Sequence, residues 1–122
     1  PVVISSAEPA GRFRQVSRVF DSLLGGDLLS VGSRTVEEAP WSVVVFASRA
    51  DGSVLVMTGT EAMEAGANAG KIAEVITTAL KGRGGGKPDV GQGRVPPAEL
   101  NRFGEVVSKV KAILEDIYRK KA

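Results

Sequence analysis

The chain has 122 residues, 43% of them hydrophobic and 25% charged, with a net charge of +2 and neither cysteine nor histidine. That length suits one domain, able to hide roughly 65% of its unfolded surface in a single core. The missing residue types exclude disulfides, Cys/His zinc sites, thiol nucleophiles and a Ser-His-Asp relay within the chain. The small net charge means that any affinity for nucleic acid needs a local cluster.

The chain opens on Pro1 with no basic-then-apolar leader, and is expected to be part of a longer polypeptide. Residues 2–5 are apolar and β-branched and read as a short buried strand. From Pro9 a helix is expected: Phe13, Val16, Phe20 and Leu23 recur at helical spacing, and Gly25-Gly26 supply a stop. Arg12, Arg14 and Arg18 fall off that stripe, as a solvated face or a second contact for an RNA backbone. Residues 28–33 read as a second short strand and residues 35–40 as a polar loop carrying Glu37 and Glu38. Residues 41–50 and 53–60 are strongly β-branched, with Asp51-Gly52 between them, the dipeptide of tight hairpin turns. Trp41 is expected to pack at the start of the first of these strands, with stacking on a base as the alternative. The run 43–47 is apolar on both faces, so it belongs at the centre of a covered sheet; it is far short of the ~18 apolar residues that span a bilayer.

Residues 60–70 form a small-residue connection with room for one helical turn. Ile72, Val75, Ile76, Ala79 and Leu80 then make one helical stripe. After Pro96-Pro97 a long helix is expected over 97–120. Leu100, Phe103, Val107, Val110, Leu114 and Ile117 are spaced three, four, three, four, three, and Val106 and Ile113 widen the seam. That seam can cover the sheet or pair two copies. Its basic end, Tyr118 to Lys121, suits a helix C-terminus or a phosphate. The order β-α-β-β-β-α-loop-α describes a single α/β domain, 1–122, with a mixed four-stranded sheet and helices packed on it.

Between the last two helices lies GRGGGKPDVGQGRV, residues 82–95. It is not a nucleotide P-loop, because Gly86-Lys87 is followed by Pro88, which offers neither hydroxyl nor N–H. The dinucleotide fingerprint fails as well: Gly82 and Gly84 lead to Lys87, and Gly84 and Gly86 lead to Asp89, where a third glycine is needed. Composition leaves a flexible linker and a structured loop both open. In the structured case, Gly82, Gly84, Gly85 and Gly86 let a backbone approach a large anion and gather N–H groups into a nest. Arg83, Lys87 and Arg94 supply charge, and Gln92 an amide for a hydroxyl or base edge.

Gly84-Gly85-Gly86-Lys87-Pro88-Asp89, followed by Gln92-Gly93, resembles the signature near the C-terminus of the alanyl-tRNA synthetase family, in the domain associated with Asp-His-His phosphoesterases. The likeness extends over roughly residues 1 to 118. It departs from the pattern at Val90-Gly91, where Met-Ala is usual, at Lys87 for Arg, and at Gly93-Arg94-Val95, where a longer glycine string is usual. The resemblance implies a non-catalytic, cytoplasmic module without a cofactor or a membrane role. It would hold alanine-specific tRNA near the outer corner, assist aminoacylation and editing in the parent synthetase, and take part in dimerisation. Residues 82–87, Gln92 and Arg94 would then meet the tRNA, and Val106, Val110, Ile113 and Ile117 a second copy. The editing module's zinc ligands and the phosphoesterase metal centre are both absent here. A dimerisation module with a structural loop, and the RNA-recognition half of a phosphoesterase, are the alternatives.

Overall fold

The structure, a computed structural model, describes residues 7–10 and 13–121. Strands β1 (Ala7–Ala10) and β2 (Phe13–Phe20) are followed by helix α1 (Gly25–Glu38), the hairpin β3 (Ser42–Ser48) and β4 (Ser53–Thr58), and helices α2 (Thr60–Glu64) and α3 (Ala69–Ala79). Strands β5 (Arg83–Gly86) and β6 (Val90–Arg94), a 3-10 turn Pro97–Arg102 and helix α4 (Phe103–Lys121) complete the chain. The expected α/β class with a mixed sheet stands. The sheet has six strands where four are expected, in the order β1-β2-β3-β4-β6-β5, and only β2 and β3 run parallel.

The sheet is covered on both faces. Val43, Val45, Ala47, Val54 and Val56 point to α3 and α4, where Ile72, Ile76, Leu80, Val106, Val110 and Leu114 meet them. Val16, Val44, Phe46, Leu55 and Met57 point the other way, to Leu28 of α1. Burial on both sides makes β3 an uninterrupted apolar run, as a central strand should be.

The same double burial reverses two expectations early in the chain. The stretch expected as the first helix is strand β2, and the stretch 28–33 expected as a strand lies inside helix α1. In β2, Phe13 and Val19 face α4 while Val16 and Phe20 face α1. Apolar residues divided between two faces fall by coincidence at helical intervals. In α1 the inward stripe is Leu28 and Gly32, buried, with Val31, Thr35 and Val36 half-buried, and glycine and threonine disguise it. At Gly32 the helix comes close to the sheet: a Cβ would lie 2.9 Å from Leu55 Cδ2 and from Met57 Sδ, the ends of side chains that would have to shift. The expected strand 2–5, and Arg12, lie outside the described residues.

The β3–β4 hairpin stands as expected, with a longer turn. Four residues connect the strands, Gly52 takes φ +74°, and the Asp51 carboxylate accepts from Ser53 N–H at 2.9 Å. The last helix begins as a 3-10 turn and becomes α-helical at Phe103, after Pro96-Pro97. Gln15, in β2, reaches across to it: Nε2 donates to the Val107 carbonyl at 3.1 Å, while Oε1 is buried without a partner.

Candidate nucleic-acid interface

The glycine-rich segment is neither a linker nor an open loop. It is an antiparallel hairpin: Arg83 pairs with Arg94, Gly84 with Gly93, Gly85 with Gln92 and Gly86 with Gly91. Strand β6 in turn pairs with β4, which makes β5 the sheet edge. The turn is pinned from three sides. Lys87 N–H donates to the Val90 carbonyl at 2.9 Å. The carbonyls of Lys87 and Pro88 accept from Gly70 and Ala69 N–H, both at 2.9 Å, and so satisfy the first amides of α3. Thr58 Oγ1 also donates to the Pro88 carbonyl, at 2.7 Å.

Why so many glycines is now physical. Helix α3 lies directly on one face of the hairpin. A Cβ on Gly91 would stand 2.4 Å from the Ala69 carbonyl oxygen, and one on Gly84 2.8 Å from Thr77 Oγ1. A Cβ on Gly93 would stand 2.7 Å from Thr77 Cγ2. The missing side chains admit a helix of this same chain. Gly85 differs: nothing lies within 4 Å of its Cβ position. The backbone of 83–86 is engaged in a β-ladder and not curled into a nest of converging amides.

The opposite face is where charge collects. Arg83 and Arg94 are directly opposed across the two strands, both exposed, with Gln92 and Gly85 as the next pair on that face. Neither arginine has an acidic partner among the described residues. Opposed like charges cost stability. Lys87 sits at the exposed turn, four residues along from Arg83, or ~13 Å at strand rise. Lys81 precedes the hairpin in the left-handed region, φ 65°, within a Schellman turn: Gly82 N–H donates to the Thr77 carbonyl at 2.7 Å and Lys81 N–H to Thr78 at 3.2 Å.

An open groove of about 560 Å³ adjoins this face, between the start of α1 and strands β4, β6 and β5. Leu28, Leu29, Ser53, Gln92, Arg83 and Arg94 contribute to its lining. The sequence reading singles out the last three and misses the first three. The stripe through 28, 31, 32, 35 and 36 is the signal that places Leu28 and Leu29 on a helix.

The other expected contacts lie apart. Arg14 and Arg18 are on β2, on the far side of β3 and β4 from the hairpin, and the Arg18 guanidinium sits 5.4 Å over the Phe20 ring. Trp41 is edge-on to Phe13 at 5.9 Å. In the tail, Lys120 pairs with Asp116 at 3.1 Å. Of the four residues assigned to a dimer seam, Val106 and Val110 are buried in the core, while Ile113 and Ile117 are half-buried. Among the described residues no cluster of three or more His, Cys, Asp or Glu could hold a metal, and no helix is long and apolar enough to cross a membrane.

Comparison with known proteins bears on the same residues. Residues 15–116 match the family described as the DHHA1 domain. The alanine–tRNA ligase of Cutibacterium acnes is 32% identical over 95 residues, covering 75% of this chain and 11% of that protein. The alanine–tRNA ligase of Thermobifida fusca is 37% identical over 94 residues, covering 72% of this chain and again 11% of the protein. The chain thus spans about a tenth of the length of these relatives. Among solved structures, the C-Ala domain of Aquifex aeolicus alanyl-tRNA synthetase superposes with a TM-score of 0.80 at 26% identity, covering 89% of this chain and 97% of that one. A DHH-domain protein described as a member of the s1p family of ribosomal proteins shares the fold, with a TM-score of 0.62 at 15% identity.

Proposed function

Because this chain belongs to the DHHA1 domain family, in the form found at the C-terminus of alanyl-tRNA synthetases, we propose that it is the tRNA-holding module of such an enzyme. In this reading it performs no catalysis by itself. It grips the backbone of alanine-specific tRNA near the outer corner, in the cytoplasm, and so assists aminoacylation and editing carried out elsewhere in the parent protein. The observation that carries the reading is the directly opposed Arg83 and Arg94 on the exposed face of the hairpin, without an acidic partner among the described residues. One phosphate can bridge two such guanidiniums, and Lys87 reaches a separate one. Gln92 lies beside the pair, and the open space over Gly85 lets a backbone come close. The other glycines serve by holding α3 and the hairpin rigid, which fixes the cations in place before the RNA arrives.

Pairing of two copies through α4 would use Ile113 and Ile117, since Val106 and Val110 already fill the core.

The test is tRNA titration across ionic strength. One phosphate across the two arginines and one at Lys87 give a slope of log K against log salt of about −1.8 on duplex regions, from about −0.9 per phosphate. Arg83→Ala with Arg94→Ala should weaken binding and flatten the slope by about 0.9, the share of the one phosphate they hold. An unchanged slope in the double variant overturns the mechanism.

A further inference from the structure

If the hairpin's arginines meet phosphate, the groove beside them has chemistry that a phosphate alone would leave unused. The apolar surface it offers is Leu29 on the rim, 37% exposed, with Leu28 and Leu55 buried beneath. Across from it are Arg83 and Arg94, with Gln92 and Ser53 between. No Asp or Glu contributes to the lining. The nearest acid in sequence on α1, Asp27, accepts from Leu24 N–H at 3.3 Å. A bare anion would gain nothing from the leucines, and a neutral hydrophobe nothing from the guanidiniums. A flat heterocycle carrying a phosphate fits both, and the volume, about 560 Å³, lies in the range of small-ligand sites.

We propose that this groove holds one unpaired nucleotide of the bound RNA, its base against Leu29 and its phosphate across Arg83 and Arg94. The inference rests on the RNA-binding reading. Guanidinium planes also stack on bases, so either arginine can close over the ring. The Gln92 amide offers both a donor and an acceptor to the base edge. A base within a duplex presents no free face, which is why the occupant is a splayed or terminal nucleotide. The groove would therefore add a contact that salt weakens little, on top of the salt-sensitive phosphate contacts.

The experiment is an NMR titration of the isotope-labelled chain with adenosine 5′-monophosphate, with ribose 5-phosphate as the base-free control. The expected result is that the nucleotide shifts the amides of Leu28, Leu29, Ser53 and Gln92 and binds about fivefold more tightly than the control, the low end of what a base contact gives. Leu29→Ser should erase most of that difference and leave ribose 5-phosphate binding unchanged, and saturating tRNA should displace the nucleotide. Equal affinities and identical shifts for the two probes overturn the inference while leaving the tRNA reading intact. A nucleotide that stays bound under saturating tRNA overturns the assignment to RNA. If tRNA does not bind at all, the broader reading fails, and the nucleotide titration still decides whether the groove accepts a base.

Discussion

Replacing Gly91 by alanine tests whether the hairpin's glycines serve the contact with α3. The new Cβ would lie 2.4 Å from the Ala69 carbonyl oxygen and 2.8 Å from Ala73 Cβ. Ordinary contact begins near 3.4 Å, so α3 must lift by about 1 Å, because neither neighbour is the end of a flexible side chain. Overpacking of this kind costs about 1–3 kcal/mol. The lift also stretches the bonds from Ala69 to Pro88 and from Gly70 to Lys87, now 2.9 Å each. These contribute about 1 kcal/mol apiece. The sum is about 3–5 kcal/mol, a large part of the about 5–15 kcal/mol that holds a domain together. Thermal unfolding followed by circular dichroism should show Tm lower by about 10–20 °C. Gly85→Ala is the control: its Cβ enters open space, and it should be neutral or stabilising by about 0.5–1 kcal/mol. A Gly91→Ala protein within about 1 kcal/mol of wild type, or a Gly85→Ala protein as damaged as Gly91→Ala, refutes the account.

Lys81 holds a left-handed φ of 65° that glycine adopts without strain, so Lys81→Gly should raise stability by about 1 kcal/mol in urea unfolding. Gln15→Met removes a buried, unpartnered carbonyl oxygen along with one hydrogen bond to Val107, and should change stability by less than about 1 kcal/mol. A loss above about 2 kcal/mol would mean that the amide is essential to docking α4. Val106→Glu places a charge in the core and should prevent folding, whereas Ile113→Glu, on the half-buried side of α4, should fold with a wild-type circular dichroism spectrum. Sedimentation of the Ile113→Glu protein beside wild type then reads whether that strip pairs two copies.

Local chemistry made much of the architecture legible. The apolar runs of β3 and β4 around Asp51-Gly52, the stripe of α3 and the seam of α4 each state their element directly, because each carries one dominant period. The first helix and second strand were not legible in the same way. Strand β2 divides its apolar residues between two covered faces, and α1 hides its buried stripe behind Gly32 and Thr35. The hairpin escaped for a related reason: RGGG and VGQGR have almost no β-forming side chains, and their strand geometry comes from pairing to β4 and from the weight of α3.

The candidate cations Arg83, Lys87 and Arg94 follow from the sequence alone, as does the absence of cysteine and histidine, since residue identity needs no fold. Their arrangement does not. Which two arginines stand opposite each other, which glycines are filled by a helix and which one is open, and that α1 supplies an apolar wall beside them are all set by strand register and layer packing. Those relations join residues on separate elements, in the case of α1 and the hairpin more than fifty positions apart, and no short stretch of chain can encode a contact whose other half lies elsewhere.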